Sequence, residues 1–158
     1  MATDIIKRED ILENILSVLR GIDTRNDYYT NIRNSSVTRV LKPYGEVTSS
    51  DLPMLIISDG DESYNYEEMG KRVTNFFTVI IRGIIEDQQN PSQELNKLIS
   101  DVKKALTISL IRGTDANGER NASNTKLVRT DTDQGLASPR AVFEMEVMIE
   151  YHTLDSNR

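Results

Sequence analysis

The sequence contains no cysteine, no tryptophan and a single histidine, His152, among its 158 residues. The lack of cysteine excludes disulfides, thiolate nucleophiles and cysteine-ligated zinc or iron–sulfur sites. The longest apolar runs, such as residues 55–57 and 79–81, are far shorter than the ~20 residues of a transmembrane helix. The amino terminus turns acidic at Glu9 and Asp10 and lacks the apolar core of a secretory signal. We therefore expect a protein without a membrane segment that is synthesised in the cytoplasm.

Basic residues are also in deficit, because 19 lysines and arginines stand against 25 aspartates and glutamates, for a formal net charge of −6. Tight binding to a phosphate backbone depends on cationic side chains that displace counterions. The composition therefore argues against free nucleic acid as a ligand. Hydrophobic residues make up 37% and charged residues 28% of the chain, which is typical of a globular protein. We predict a single domain over residues 1–158.

Two segments have the apolar spacing of amphipathic helices. The apolar positions of the first lie within residues 11–19, and we expect Gly21 to end the helix. The second follows Asn90, which is a suitable cap, with Pro91 at the first helical position and Gln93 three residues after the cap. Its apolar stripe consists of Leu95, Leu98, Ile99, Val102 and Leu106.

The strands are predicted from β-branched runs and from alternation. They cover residues 37–41, 52–57, 73–85, 126–130 and 141–151. Residues 73–85 are apolar at both odd and even positions, which predicts a central strand covered on both faces over part of its length. Polar connections are predicted at residues 58–71, 113–124 and 131–139. This order predicts an α+β fold, with a mixed or antiparallel sheet of about four to five strands packed against two amphipathic helices.

Two acidic tracts, residues 59–62 and 115–119, have oxygen ligands that suit a hard cation. Neither has the spacing of an EF-hand loop, and Asn117-Gly118 is a strong hairpin-turn signal. We therefore interpret both tracts as solvated turns and predict no metal site.

The last strand places acidic residues and the only histidine on one face: Glu144, Glu146, Glu150 and His152. A metal or a carboxylate pair fits such a face, although contact with solvent or with a partner's basic residues is the commoner use. The sequence has no Gly-x-Ser-x-Gly, Walker or dinucleotide-binding motif. We predict no catalytic residues and no cofactor, and hence that the protein is not an enzyme.

The order of these features resembles that of the tail terminator proteins of long-tailed bacteriophages. The resemblance lies in the first helix, the strand at residues 51–57 with its acidic loop, the long strand at residues 76–83, and a last strand that ends on Tyr151. The second helix also carries the family's pattern Leu-x-x-Leu-x-x-Asp-hydrophobic, which ends in Ala-Leu. These positions are Leu95, Leu98, Asp101, Val102, Ala105 and Leu106.

The resemblance implies a structural virion protein of the tail or neck that forms a hexameric ring, stops tail-tube polymerisation and presents a docking face to the head. Its implied partners are further copies of itself, the tail tube protein, a head-completion or neck protein, and a sheath protein. DNA would pass through the ring without specific binding, which suits a net acidic chain. The alternatives within phages are another neck protein (head-completion or tail-completion) or a tube-forming tail protein. Outside phages they are a cellular interaction domain or a small metal-dependent enzyme.

Residues expected to be exposed are the candidates for contacts in such an assembly. The polar segment at residues 113–124 has almost nothing to bury, and we predict contacts to a partner or to the channel from Asp115, Asn117, Glu119 and Arg120. Tyr64 and Tyr66, in the predicted connection at residues 58–71, are further interface candidates. Half-buried anchoring of the loop would explain these tyrosines equally well.

Overall fold

The computed structural model describes residues 7–67, 72–108, 112–114, 118 and 120–154. Its main elements are α1 (Lys7–Arg20), β1 (Val37–Thr38), β2 (Met54–Tyr66), β3 (Arg72–Glu86), α2 (Pro91–Ile108), β4 (Asn124–Thr132) and β5 (Arg140–Leu154). The sheet has the order β1-β2-β3-β5-β4. β1 runs parallel to β2, and the other neighbours are antiparallel. The α+β fold with a five-stranded mixed sheet and two helices is thus as predicted.

Both helices cover the same face of the sheet. The apolar stripe of α1 is buried, as are Leu95, Leu98 and Val102 of α2. The strands contribute their inward positions to the same core, which include Phe77 of β3 and Phe143 of β5. β5 alternates buried and more exposed residues along its length, so the predicted half-buried strand is confirmed.

The start of α2 also matches the sequence. The Asn90 side chain accepts a hydrogen bond from the Gln93 backbone N–H at 3.1 Å, and its amide donates to the Gln93 side chain at 3.3 Å. These bonds satisfy polar groups that a helix end leaves without partners.

Asp101 of α2 is buried, which is unusual for an aspartate. Its carboxylate accepts hydrogen bonds from the backbone N–H groups of Tyr29 and Thr30, at 3.0 and 2.8 Å, and from the Thr30 hydroxyl at 2.5 Å. This residue is the aspartate of the helix pattern noted above, and it fixes the long connection between α1 and β1. The connection therefore has a defined path although it contains little regular secondary structure.

The opposite face of the sheet is covered only in part. Between β1 and β2 the chain crosses one end of this face and buries Val47 against Met54, Ile56 and Ile84. The Lys42 ammonium lies 2.6 Å from the carboxylate of Asp51 in this connection and, together with the N–H of Thr48, lowers the pKa of Asp51 to about 2.

Coverage of β3 on both faces over part of its length is confirmed. The strand is buried at consecutive positions only at residues 83–85, and from Val73 to Arg82 it alternates between buried and half-buried positions. Burial on both faces is therefore confined to the end of β3 that lies under the β1–β2 connection.

Three predicted boundaries were wrong. Residues 58–66, predicted as part of a connection, continue β2 and pair with β3, with a bulge between Asp59 and Glu62. β1 ends at Thr38, because Val40 and Leu41 are exposed. β4 is longer than predicted, as pairing with β5 extends it on both sides of residues 126–130.

An ion pair between the partly exposed Arg8 and the buried Glu62 side chain holds the second half of β2 against α1. The Arg8 guanidinium lies 2.8 Å from the Glu62 carboxylate and 3.4 Å from that of Asp59, and it stacks over the Phe77 ring. The Glu62 side chain is only 4% exposed and also accepts a hydrogen bond from the Tyr151 hydroxyl. Burial and the neighbouring Glu62 raise the pKa of Tyr151, so this hydroxyl stays protonated and remains a donor.

We predict that Gly83→Ala destabilises the fold. A Cβ at Gly83 would lie 2.1 Å from a ring carbon of Phe143, which is itself buried in the core. Overpacking of this kind lowers the free energy of unfolding by about 1–3 kcal/mol. Gly45→Ala is the matched control, because a Cβ there meets nothing within 4 Å. Urea unfolding of both variants measures the effect, and equal midpoints would contradict the close packing.

We also predict that Glu62→Gln destabilises the protein by about 1–3 kcal/mol, because it removes the buried charge that Arg8 faces. Asp61→Asn, next to it on an exposed position, should change the free energy of unfolding by less than about 0.5 kcal/mol. Urea unfolding at neutral pH compares the two. A loss of equal size in both variants would mean that net charge, and not the buried carboxylate of Glu62, matters here.

Candidate functional site

The candidate functional surfaces begin with the two outer strands of the sheet. On one side, β1 pairs only with Leu55 and Ile56 of β2. In the part of the chain that the structure describes, the outer edge of β2 from Ser58 to Asn65 has no further strand beside it. On the other side, β4 pairs with β5 alone among the described strands. Each edge therefore presents backbone N–H and C=O groups of the kind that recruit another strand.

Tyr64 lies in the part of β2 that extends beyond β1, and not in a loop. Its register partner is Asn75, and that of Tyr66 is Val73; both partners are buried and share the face of β3 that holds Phe77. The two tyrosines therefore lie on the helix side of the sheet, with exposed fractions of 56% and 53%. The structure thus brings them together as neighbours on one strand face.

The predicted interface loop is described only at its base. Asp115, Asn117 and Glu119 lie outside the described residues, whereas Arg120 is exposed and forms an antiparallel bridge with Thr114. Gly118 has a φ of +78°, the left-handed conformation that a tight turn requires.

We expected the segment at residues 113–124 to bury almost nothing, and this prediction was wrong at the base of the segment. Asn121 and Ala122 are buried, and the Asn121 side chain donates to the backbone carbonyl of Arg112 at 2.9 Å. The Asn121 backbone N–H binds the carbonyl of Gly113 at 3.1 Å. These contacts fix the base of the segment to the body of the protein.

Arg112 is a residue that the sequence did not single out. It is fully buried, donates to the Leu106 carbonyl and to the Thr125 hydroxyl, and has a positive φ of 53°. Burial of the guanidinium lowers the pKa of Arg112 to about 10. The hydrogen bonds to Leu106 and Thr125 connect the end of α2 to the start of β4. The sequence contains no signal for this burial, because arginine is normally exposed.

The uncovered face of the sheet mixes apolar and acidic side chains. Phe76 and Ile80 of β3 and Met148 of β5 are half-buried there. β5 adds the acidic residues Glu144, Glu146 and Glu150 on the same face, and Arg82 lies 2.7 Å from Glu144. The predicted charged face of the last strand is confirmed.

His152 continues this face. Its Nδ1 is 3.1 Å from the Thr74 hydroxyl, and Glu150 lies 3.9 Å from its Nε2. Burial and the charge of Arg72 lower the pKa of His152, so it is neutral at pH 7. Among the residues that the structure describes, no three His, Asp or Glu side chains come together as a metal site. The acidic tract at residues 59–62 forms a bulged strand and not the predicted turn.

The two ends of the sheet are built differently. One end, here called the Leu136 end, contains the starts of β2 and β5 and the β4–β5 connection, whose Leu136 is 91% exposed. It also holds Tyr29, 69% exposed, beside a groove of about 290 Å³ with the carboxylates of Glu86, Asp87 and Glu94. The opposite end, here called the hairpin end, contains the end of β2, the start of β3 and the described base of the segment at residues 113–124.

No helix within the described ranges is long and apolar enough to cross a membrane.

No curated protein sequence is significantly similar to this chain. A chain in the solved structure of the virion of a native gene transfer agent particle has a similar fold, with a TM-score of 0.50. The two chains are 12% identical, and the match covers 90% of this chain and 92% of the other.

The family comparison agrees with the order of elements described above. The model of the bacteriophage tail tube terminator protein family matches residues 3–157, nearly the whole sequence. The resemblance found in the packing positions of the helices and strands is thereby confirmed. The chain belongs to the bacteriophage tail tube terminator family, and is a structural component of a phage tail.

Proposed function

We propose that this protein forms a hexameric ring that caps the tail tube, stops its polymerisation and provides a docking face for the head-completion or neck protein. The observation that carries the proposal is the match of the tail tube terminator family to residues 3–157, and the unlike Leu136 and hairpin ends agree with it. Tube growth requires that each ring presents the surface on which the next ring assembles. A subunit with two unlike ends binds the tube with one end and offers a different surface at the other.

The composition supports the same role. A channel that DNA traverses must not bind phosphates tightly, and a net charge of −6 avoids this. The uncovered face of the sheet, with Glu144, Glu146 and Glu150, suits a surface near passing DNA. We infer no catalysis and no cofactor, and we infer contact with a sheath protein where the tail is contractile. Synthesis in the host cytoplasm precedes assembly into the virion.

Tube growth in vitro tests the capping function. Purified tail tube protein is polymerised with and without this protein, and tube lengths are measured by negative-stain electron microscopy. We expect shorter tubes, each with one ring at a single end. Tubes of unchanged length, or rings at both ends, would contradict capping. Capping would also be contradicted if particles that lack the protein still joined tails of ordinary length to heads.

The tip of the segment at residues 113–124 is proposed to contact the tube, the neck or the channel. Because Asn121 and Ala122 are buried, a test must leave them in place. We predict that the combined variant Asp115→Ser, Asn117→Ser and Glu119→Ser folds normally but loses control of tube length. Substitution of Asn96 and Lys103, exposed on α2, by serine is the control. Normal capping by the tip variant would exclude this assignment.

Tyr64 is proposed to contact a neighbouring subunit. We predict that Tyr64→Ala weakens ring assembly by about 1–3 kcal/mol per contact, which is typical of an aromatic residue at an interface. Dilution experiments that follow the ring mass measure this effect. Tyr29→Ala, at the Leu136 end, is the control with a similarly exposed tyrosine. An unchanged dissociation midpoint for Tyr64→Ala would rule out the contact.

A further inference from the structure

We infer that subunits of the proposed ring join edge to edge, so that the outer edge of β2 in one copy pairs with the outer edge of β4 in the next. The β2 edge consists of residues 58–65, and the β4 edge of residues 126–132. This inference rests on the proposed ring and adds the surfaces that close it.

The first argument is the availability of backbone groups. Within the described residues, neither edge has a strand on its outer side. Neither edge contains proline, so every backbone N–H is present. Strand addition at such edges is a common mode of protein association, because main-chain hydrogen bonds form without special side chains.

The second argument is geometry. The two edges lie at opposite sides of one sheet, so a contact between them joins two different surfaces. A repeated contact between different surfaces gives a ring when the rotation closes. β2 and β4 run in opposite directions in the order β2-β3-β5-β4, since each successive pair is antiparallel. Rotation about an axis along the strands keeps these directions, so β4 of the next copy meets β2 as an antiparallel neighbour.

The third argument is charge. The β2 edge contains three carboxylates and no cation, whereas the β4 edge contains two cations and one carboxylate. Arg8 offsets part of the β2 charge through Asp59 and Glu62, and the segment stays acidic. The β2 edge of one copy therefore attracts the β4 edge of the next. Two β2 edges repel each other, and so do two β4 edges. This pattern favours the head-to-tail contact over a symmetric dimer.

The fourth argument is the position of exposed apolar side chains. Tyr64 lies on the helix side of β2, and Leu127, 42% exposed, lies on the helix side of β4 because its register partner is the buried Val147. In a continuous sheet, side chains on the same face of adjacent strands come into contact. Edge pairing would therefore bring Tyr64 of one copy close to Leu127 of the next and cover both.

Site-directed cross-linking tests the inference, and the chain suits it because it contains no cysteine. The full-length variant Ser63→Cys is mixed with Lys126→Cys, Val128→Cys or Asp131→Cys and oxidised, both alone and on tail tubes. Ser63, Lys126 and Asp131 all lie on the face of the sheet away from the helices. We expect one of the three mixtures to give at least tenfold more disulfide-linked dimer than Ser63→Cys mixed with Ser92→Cys. Ser92 is exposed on α2, away from both edges.

The double variant that combines Ser63→Cys with the reactive β4 position should give a ladder of linked species that ends at the ring. A ring by native mass spectrometry without cross-links above the control would overturn edge pairing and leave the proposed function intact. Tubes capped by a protein that never self-associates, in solution or on tubes, would overturn the ring and edge pairing together. Strong cross-linking of Ser63→Cys to itself would also overturn the inference, because it indicates a symmetric contact.

Charge reversal provides a second test that leaves the edge backbones intact. We expect Lys126→Glu with Arg129→Glu to raise the concentration for half-assembly about tenfold or more. Because Arg129 pairs with Asp131 and lies opposite Glu146, the urea midpoint of the dissociated subunit should fall equally in this variant and in the fourfold variant below, so only a change in assembly separates them. Adding Asp61→Lys and Glu67→Lys, so that all four charges are reversed, should restore assembly. Assembly that is unaffected by the first pair, or not restored by the second, would contradict the charge argument.

Discussion

The continuous pairing of β3 with β5 is the constraint on which the rest of the structure depends. The two strands pair over 15 positions without a bulge, from Arg72 opposite Leu154 to Glu86 opposite Arg140. This register places the inward residues of both strands under the helices and the acidic residues of β5 on the other face. It also sets the second half of β2 and β4 as outer edges on opposite sides of the sheet. The surfaces proposed for assembly therefore follow from one pairing.

Buried polar groups then attach the outer elements to this centre. Arg8 and Glu62 hold the second half of β2, Asp101 holds the connection after α1, and Asn121 binds the backbone beside Arg112. A charged or polar group in the interior is tolerated only when it is paired or hydrogen-bonded. Each of these residues thus specifies one position for a segment that has few apolar contacts of its own. Such segments form the exposed ends and edges, where a ring protein meets its partners.

The elements that could be predicted from the sequence are those with a strong apolar period. α1, α2 and β5 each bury one regular face, and the cap at Asn90 has a local chemical cause, so their positions were predicted correctly. The second half of β2 was missed because residues 58–66 are exposed or half-exposed on both faces and show no alternation. Their strand conformation comes from hydrogen bonds to β3, and such bonds leave no pattern in the sequence. The same holds for the burial of Arg112 and Asn121, which depends on how α2 and β4 meet.

The sequence by itself determined the α+β class, the two helices, the central and last strands, and the resemblance to tail terminators, because all of these rest on which positions are apolar. Only the tertiary structure decided that Tyr64 belongs to an outer strand, that β2 and β4 leave opposite edges of one sheet available, and that the two ends of the molecule differ. These features depend on strand order and on contacts between residues far apart in the chain. Hydrophobic periodicity records which face a residue buries, but not which strand lies beside it.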